Sequence, residues 1–166
     1  MSDLGEQLRQ CMRRWPTGVA VITSRMGTNR HGMTVNSFAS VSLQPPIVVC
    51  TLAQTTRTHQ LVVQSGLAAL TVLSQAQAAL SDRFAGRIPE EGDRFAGLET
   101  FELVTGAPLL SGGLAHLDCR VRSSVALENS TLFLLDVAAV RLGTPASPLI
   151  YFDRSYHPIS WTPPTV

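Results

Sequence analysis

The sequence contains no lysine, little charge of either sign and few aromatic residues. Its 13 positive side chains are all arginine, charged residues make up 15% of the chain, aromatic residues make up 6%, and the formal net charge is +1. A charge this small provides no extended basic field, so arginine has to make any phosphate contact locally. Nucleic acid is therefore not expected as a partner.

Long hydrophobic runs and a disulfide framework are also missing. No apolar run approaches the roughly 18 residues of a membrane-spanning helix, and the first residues lack the apolar stretch of a secretion signal. The three cysteines, Cys11, Cys50 and Cys119, are odd in number and scattered. This pattern favours reduced thiols over disulfides or a CxxC metal site. We expect a cytoplasmic protein without a metal and without membrane contact.

The chain is rich in hydrophobic residues. Hydrophobic residues account for 45% of its 166 positions, and this length suits one domain, expected to span residues 1–166. With so few charged side chains, a monomer would leave apolar patches in water. A homodimer is the expected state.

Short β-type segments outnumber helical ones. Helices are predicted over 4–15, with Ser2 or Asp3 as the cap, over 55–66, with Thr55 or Thr56 as the cap and Gly66 as the end, and over 74–85. About eight strands are predicted, without regular βαβ alternation, which favours a closed or nearly closed antiparallel barrel. The strand segments are 19–23, 31–43, 47–52, 67–73, 98–104, 114–127, 131–142 and 149–152.

The segment 32–43 is unusually polar for so apolar a protein. As one strand it would place Thr34, Asn36, Ser40 and Ser42 on one face, with Phe38 among them. Such a face either meets water at the edge of a sheet or binds a ligand. The residue pattern alone leaves both interpretations open.

The start of the second predicted helix has a similar ambiguity. Residues 54–58 bring together N–H groups, hydroxyls and the guanidinium of Arg57, a set that suits a phosphate. A threonine-capped helix with a solvated arginine would have the same sequence.

Several stretches, in chain order, resemble the flavin reductase family, the small component of two-component flavin-dependent monooxygenases. They are RWPTGVAVIT (14–23), GMTVNSFASVSLQPP (32–46), SDRFA (81–85), GLAHLDCRV (113–121) and PLIYF (148–152). The resemblance implies a mainly β, Greek-key split barrel with a few short flanking helices. It also implies a homodimeric NAD(P)H:flavin oxidoreductase, with NADH as the expected donor, that passes reduced FMN or FAD by diffusion to a partner monooxygenase or halogenase.

The resemblance also assigns flavin-binding residues. It implies that Thr34, Val35, Asn36 and Ser37 line the isoalloxazine ring, that Ser40 and Ser42 lie near the ribityl and phosphate groups, that Thr56, Arg57 and Thr58 hold the phosphate, that Phe84 flanks the far end of the flavin, and that Thr51 joins the site.

One turn departs from the family pattern. Many relatives have Gly-Asp-His-Thr before the penultimate long strand, with the histidine facing the nicotinamide, whereas this chain has Glu-Asn-Ser-Thr at 128–131. Ser130, or His157 beside Tyr156, is expected to take that place. The alternative is a flavin carrier or sensor without turnover. An oxidase of the pyridoxamine-phosphate type is a weaker third hypothesis, because that family's basic phosphate-binding pattern is not apparent and the chain has no lysine.

Overall fold

The computed structural model describes residues 3–88 and 92–161, which form a mainly β protein with short helices. The helices are α1 (Leu4–Met12), α2 (Arg57–Ser65) and α3 (Ala78–Phe84), the last preceded by a 3₁₀ turn over Gln75–Gln77. The strands are β1 (Thr17–Gly18), β2 (Ala20–Met26), β3 (Asn29–Val35), β4 (Ala39–Leu43), β5 (Pro46–Ala53), β6 (Leu67–Val72), β7 (Thr100–Phe101), β8 (Leu109–Leu110), β9 (Ala115–Ala126), β10 (Ser130–Leu142), β11 (Ile150–Phe152) and β12 (Ser155–His157).

Seven strands form one antiparallel sheet in the order β3-β2-β6-β9-β10-β5-β4. Its two edge strands, β3 and β4, follow each other in the chain and are joined by only residues 36–38. Six strand spacings would put the edges of a flat sheet about 29 Å apart, whereas this link reaches about 14 Å. The sheet must therefore be rolled, with β3 and β4 facing each other across an unpaired gap, as the predicted split barrel requires.

The rolled sheet has a core on each side of β2. Ala20 and Ile22 pack inside, together with Val62 of α2. Val19 and Val21 face the opposite way, into a second cluster that contains residues of α3. This arrangement explains why the first five residues of β2 are all buried, because the strand is covered on both faces. The two polar residues among them, Thr23 and Ser24, donate hydrogen bonds to main-chain carbonyl groups.

Local sequence signals place the start of α1 and both ends of α2 correctly. Asp3 caps α1 by accepting a hydrogen bond from Gly5, while Ser2 lies outside the described residues. Thr56 caps α2 by accepting one from His59, and Gly66 ends α2 at a φ of 68°, a conformation that favours glycine. The helix predicted over 4–15 ends earlier, at Met12.

The prediction of one long strand over 31–43 is wrong. The chain leaves β3 after Val35 and enters β4 at Ala39, so Thr34 and Ser42 belong to opposite edges of the sheet. A β-bulge between Ser40 and Ser42 further breaks the expected alternation. The strand predicted over 98–104 is also reduced to the two residues of β7.

In residues 3–88 and 92–161, no helix is long and apolar enough to cross a membrane. The same residues contain no group of three His, Cys, Asp or Glu side chains that could hold a metal ion.

Candidate functional site

An open trough lies where the chain passes from β3 to β4. It has a volume of about 510 Å³, and its walls are formed by residues 15–20 on one side and 35–39 on the other, with Val72. Val19, Ala20 and Val35, which are buried, and Phe38, which is half-buried, are among the residues that line it. The trough therefore offers a narrow, largely apolar surface to a flat ligand.

The link between the edge strands contributes unused polar groups to the trough. Within the described residues, no main-chain hydrogen bond involves Asn36, Ser37 or Phe38. The Asn36 side chain is exposed and likewise makes no hydrogen bond there. Because main-chain N–H and C=O groups require partners, this link supplies donors and acceptors along the trough.

Beside the trough is a smaller pocket of about 170 Å³, which we call the Tyr156 pocket. It shares Val19, Val35 and Asn36 with the trough and is also lined by Ser81 and Tyr156, among others. The Tyr156 hydroxyl donates to Ser81 Oγ at 2.8 Å, with Asp82 Oδ1 at 3.0 Å. These contacts fix the tyrosine ring at the mouth of the pocket.

One cation is held over the Tyr156 pocket. Arg87 forms an ion pair with Asp82 at 2.8 Å, and its guanidinium carbon lies 5.8 Å and 5.6 Å from the ring centroids of Tyr151 and Tyr156. Burial raises the pKa of the Tyr156 hydroxyl above its ordinary value of 10. Tyr156 therefore remains a hydrogen-bond donor at neutral pH.

A third cavity, of about 430 Å³, lies at the other end of β3 and is lined by Arg30, Arg57 and Arg94. Arg57 donates to Asn29 Oδ1 at 2.6 Å, and Arg30 pairs with Asp93 at 2.8 Å. Three guanidinium groups around one carboxylate leave the cavity positive. We call it the arginine pocket.

The start of α2 borders the arginine pocket. The first N–H groups of a helix have no partner within the helix. The Thr56 hydroxyl accepts a hydrogen bond from only one of them, the His59 N–H, at 3.3 Å. The N–H groups of Arg57 and Thr58 have no partner among the residues that the structure describes. Free N–H groups at a helix start bind anions. The Thr58 side chain is fully buried, and its hydroxyl contacts His31 Nδ1 at 2.8 Å.

Two expected flavin contacts need correction. Phe84 is completely buried in the second core cluster and packs edge-on against Phe95 at 5.2 Å, so its ring backs the site and does not line it. Only the main chain of Thr58 can meet a phosphate, because burial removes its hydroxyl from solvent.

Some of the other predicted binding residues line the cavities and some do not. Thr34 lines the Tyr156 pocket and donates to the Ser81 carbonyl at 2.6 Å. The Ser37 hydroxyl is bound to the main chain of Thr51. Ser40 is exposed and Ser42 half-buried on β4, and neither lines the cavities described above.

The three expected catalytic residues do not come together within the chain. Tyr156 lines its pocket, but His157 next to it is exposed and contacts Ser155 Oγ at 2.9 Å and the Phe152 carbonyl at 3.1 Å. Neighbouring strand residues point to opposite faces, which turns His157 away. Ser130 begins β10 opposite Ala53, outside the Tyr156 pocket.

Sequence reasoning missed Arg87 and Tyr151 as site residues. Arg87 lies just after the stretch SDRFA and Tyr151 lies within PLIYF, but neither has a local pattern that distinguishes it from a surface arginine or a strand tyrosine. Their shared pocket depends on the packing of α3 against β11 and β12, which the sequence does not show.

Comparisons with known proteins agree with this architecture. Residues 12–160 match the flavin reductase like domain. The chain is 32% identical to FMN reductase (NADH) RutF of Stutzerimonas stutzeri over 93% of this chain and 88% of that protein. It is 35% identical to the reductase component of 4-hydroxyphenylacetate 3-monooxygenase from Thermus thermophilus, over 94% of this chain and 97% of that protein.

A solved structure extends the likeness to three dimensions. The NADH:FAD oxidoreductase SgcE6 of Streptomyces globisporus C-1027, in complex with NAD and FAD fragments, superposes with a TM-score of 0.85 at 29% identity, covering 94% of this chain and 93% of that one. The strand order, the site and the matched length lead to one conclusion: the chain belongs to the flavin reductase family.

Proposed function

We propose that this protein is an NADH-dependent flavin reductase, in which flavin binds in the trough and the nicotinamide approaches it beside the Tyr156 pocket. The observation that carries the proposal is the unpaired main chain of residues 36–38 along an apolar trough. Relatives named as FMN reductase (NADH) and as a monooxygenase reductase component support the same activity.

The trough fits an isoalloxazine ring chemically. One edge of that ring alternates hydrogen-bond donors and acceptors, which the N–H and C=O groups of residues 36–38 can complement. Its faces are apolar and suit contact with Val35 and Phe38, both of which line the trough. Ligand sites commonly combine apolar walls with a few placed polar groups in this way.

The phosphate fits the start of α2. The N–H groups of Arg57 and Thr58 and the Arg57 guanidinium provide main-chain donors and one positive charge. Arg30 and Arg94 extend this positive surface. FMN has one phosphate and FAD two, so both flavins remain compatible with the arginine pocket.

Bound together, the two cofactors supply the redox chemistry: reduced nicotinamide gives up a hydride, and oxidised flavin takes that hydride plus one solvent proton. The protein's task is to hold the reacting groups close and aligned, which accounts for much of such a rate increase. The trough excludes water from one face of the bound ring. The Tyr156 hydroxyl, whose proton is donated to Ser81 and Asp82, can accept a hydrogen bond from a group in the neighbouring pocket.

Reduced flavin then leaves for a partner oxygenase. The Thermus relative is the reductase component of a monooxygenase, and another solved relative is the reductase of a bacterial tryptophan halogenase. We place the reaction in the cytoplasm, where reduced nicotinamide is available. The free thiols Cys50 and Cys119, whose pKa values burial raises to about 11 and about 12, are consistent with that compartment.

A homodimer is part of the proposal. Large apolar side chains remain exposed along α1 and at the ends of β4 and β10, where a second copy of the chain would cover them. They are Leu4, Leu8, Leu43, Val140 and Leu142, each at least 60% exposed. Sedimentation equilibrium tests this, because a monomer at micromolar concentration would contradict it.

One set of assays distinguishes a flavin reductase from a flavin carrier. The loss of reduced-nicotinamide absorbance is followed with NADH or NADPH, each with FMN or FAD and without added flavin. Saturable oxidation that requires flavin and prefers NADH is expected. Tight flavin binding without oxidation of either donor would favour the carrier or sensor, and no flavin binding would overturn both.

A further inference from the structure

A fourth cavity, of about 450 Å³, adjoins the trough and shares Trp15 and Asn36 with it. Arg9 of α1 and Arg13, the residue that caps the C-terminal end of α1, line it, and the turn between β11 and β12 contributes Asp153 and Arg154. We call it the α1 pocket. None of the flavin contacts described above uses these four residues.

The α1 pocket carries positive charge that the protein does not neutralise. Arg9 is paired with Glu6. Arg13 donates to the neutral oxygen of Gln10 at 3.1 Å, and among residues 3–88 and 92–161 neither Arg13 nor Arg154 forms an ion pair. Asp153 is the single carboxylate in the lining, so the guanidinium groups predominate.

One hydrogen bond holds the α1 pocket in place, and one buried donor of Arg13 lacks a partner. The Arg13 carbonyl accepts a 3.0 Å hydrogen bond from the Asp153 N–H, which ties α1 to the turn. Arg13 Nε is buried and has no hydrogen-bond partner within the described part of the chain. A buried donor of this kind costs free energy unless a ligand or water satisfies it.

The turn itself keeps residues that its backbone disfavours. Asp153 and Arg154 have φ values of 43° and 66°, the left-handed region in which glycine is preferred and a long side chain such as arginine is uncommon. Glycine at position 154 would make the same turn with less strain. Arg154 therefore occupies a position that the backbone favours for glycine, with its side chain at the α1 pocket.

We propose that the α1 pocket binds the adenosine diphosphate group of a dinucleotide whose redox ring lies at the trough. Arg13 and Arg154 are placed for the diphosphate, since guanidinium groups bind phosphate oxygens in pairs. Trp15, 64% exposed between the two cavities, offers a flat face to adenine. This inference rests on the proposed function for its dinucleotide. NADH and FAD both carry the group, and NADH is the source expected here, because the diphosphate of FAD is already assigned to the start of α2.

Steady-state kinetics distinguishes the two sources. Arg13→Ala and Arg154→Gly are compared with Arg14→Ala, an exposed arginine next to the pocket that does not line it. We expect both pocket variants to raise a KM by about 10- to 100-fold, as for a lost charged contact, with kcat changed less. A higher KM for NADH with FMN as acceptor supports the proposal, whereas a higher KM for FAD alone would overturn it and would move the diphosphate of FAD away from the start of α2. Unchanged KM values for both would overturn the proposal.

Arg154→Gly also separates binding from folding. Because glycine relieves the left-handed strain, the melting temperature should stay equal or rise while affinity falls. A melting temperature that falls together with affinity would show that Arg154 acts only through the fold, and would overturn the assignment.

Binding of ADP tests the pocket without any turnover. The chain has two tryptophans, so Trp161→Phe leaves Trp15 as the only tryptophan reporter. We expect ADP to change Trp15 fluorescence saturably, and Arg13→Ala to weaken that binding. Saturable ADP binding without NADH oxidation would refute the proposed function alone, whereas oxidation without any ADP binding would refute this pocket alone.

Discussion

The hydroxyl of Ser37 donates a 2.8 Å hydrogen bond to the main-chain oxygen of Thr51 and accepts one of 3.2 Å from its N–H. A side chain thus takes the place of a strand neighbour at this point on β5. As a result, the link between β3 and β4 is anchored while its own main-chain groups stay available. The feature that supports flavin binding depends on this one side chain.

Ser37→Ala should weaken FMN binding because it releases that anchor. The net contribution of one hydrogen bond is about 1 kcal/mol, and its loss corresponds to an increase in Kd of about fivefold. Quenching of FMN fluorescence on titration with protein measures the Kd. Ser37→Thr, which keeps the hydroxyl, is the control and should bind like the unchanged protein. Equal affinity for all three proteins would show that the anchor does not matter.

Arg57→Ala should reduce the preference for phosphorylated flavin. FMN affinity is expected to fall by about 10- to 100-fold through the loss of a charged contact, while riboflavin, which has no phosphate, should bind as before. Arg120→Ala, an exposed arginine on β9, controls for net charge. If riboflavin and FMN weakened equally, the phosphate would not lie at the start of α2.

Phe84→Ala tests whether that ring belongs to the core. Removal of a fully buried phenylalanine costs about 3–5 kcal/mol, so the urea midpoint should fall sharply. Phe84→Leu, which retains most of the volume, should restore much of the stability and leave the FMN Kd nearly unchanged. A leucine variant with native stability but much weaker FMN binding would instead place Phe84 against the flavin.

Local signals explain which parts of the fold the sequence could predict. Thr56 and Gly66 mark the ends of α2 because a cap and a left-handed residue are chemical requirements of a helix. The break at residues 36–38 was missed although two consecutive polar residues, Asn36 and Ser37, interrupt the alternation of polar and apolar residues there. Only the hydrogen bonds between Ser37 and Thr51, which are 14 positions apart in the chain, reveal the end of β3.

The site was predictable only in part for a similar reason. Polar residues near Thr34 and Asn36 stand out in an apolar chain, and both line cavities. The roles expected of His157 and Phe84 depended on which way each side chain points, and residue type does not determine that direction. Arg13 and Arg154 come from opposite ends of the chain, so no local pattern could join them in one pocket.

Acid should destabilise the protein through His31. Burial, with further contributions from Arg94 and Arg57, lowers the pKa of His31 from 6.5 to about 4. The unfolded chain then binds a proton that the folded protein does not, so this stability is complete above pH 6.5 and is lost as pH falls towards 4. Melting temperatures across this range should fall less steeply for His31→Gln.

The carboxyl group of Asp93 and the imidazole of His59 also have lowered pKa values. The test is therefore the difference between the unchanged protein and His31→Gln in how melting temperature depends on pH. If the melting temperatures of the unchanged protein and of His31→Gln fell equally with pH, His31 would ionise in the folded protein as it does in the unfolded chain.

The most direct test of the account is the rate of NADH oxidation by flavin-free protein as FMN is added at saturating NADH. A flavin reductase that binds flavin reversibly predicts a rate near zero without FMN, rising hyperbolically to a plateau, with Ser37→Ala shifting the midpoint to higher FMN. Bound FMN with no NADH oxidation at any concentration would contradict the account and leave a flavin-binding protein without reductase activity.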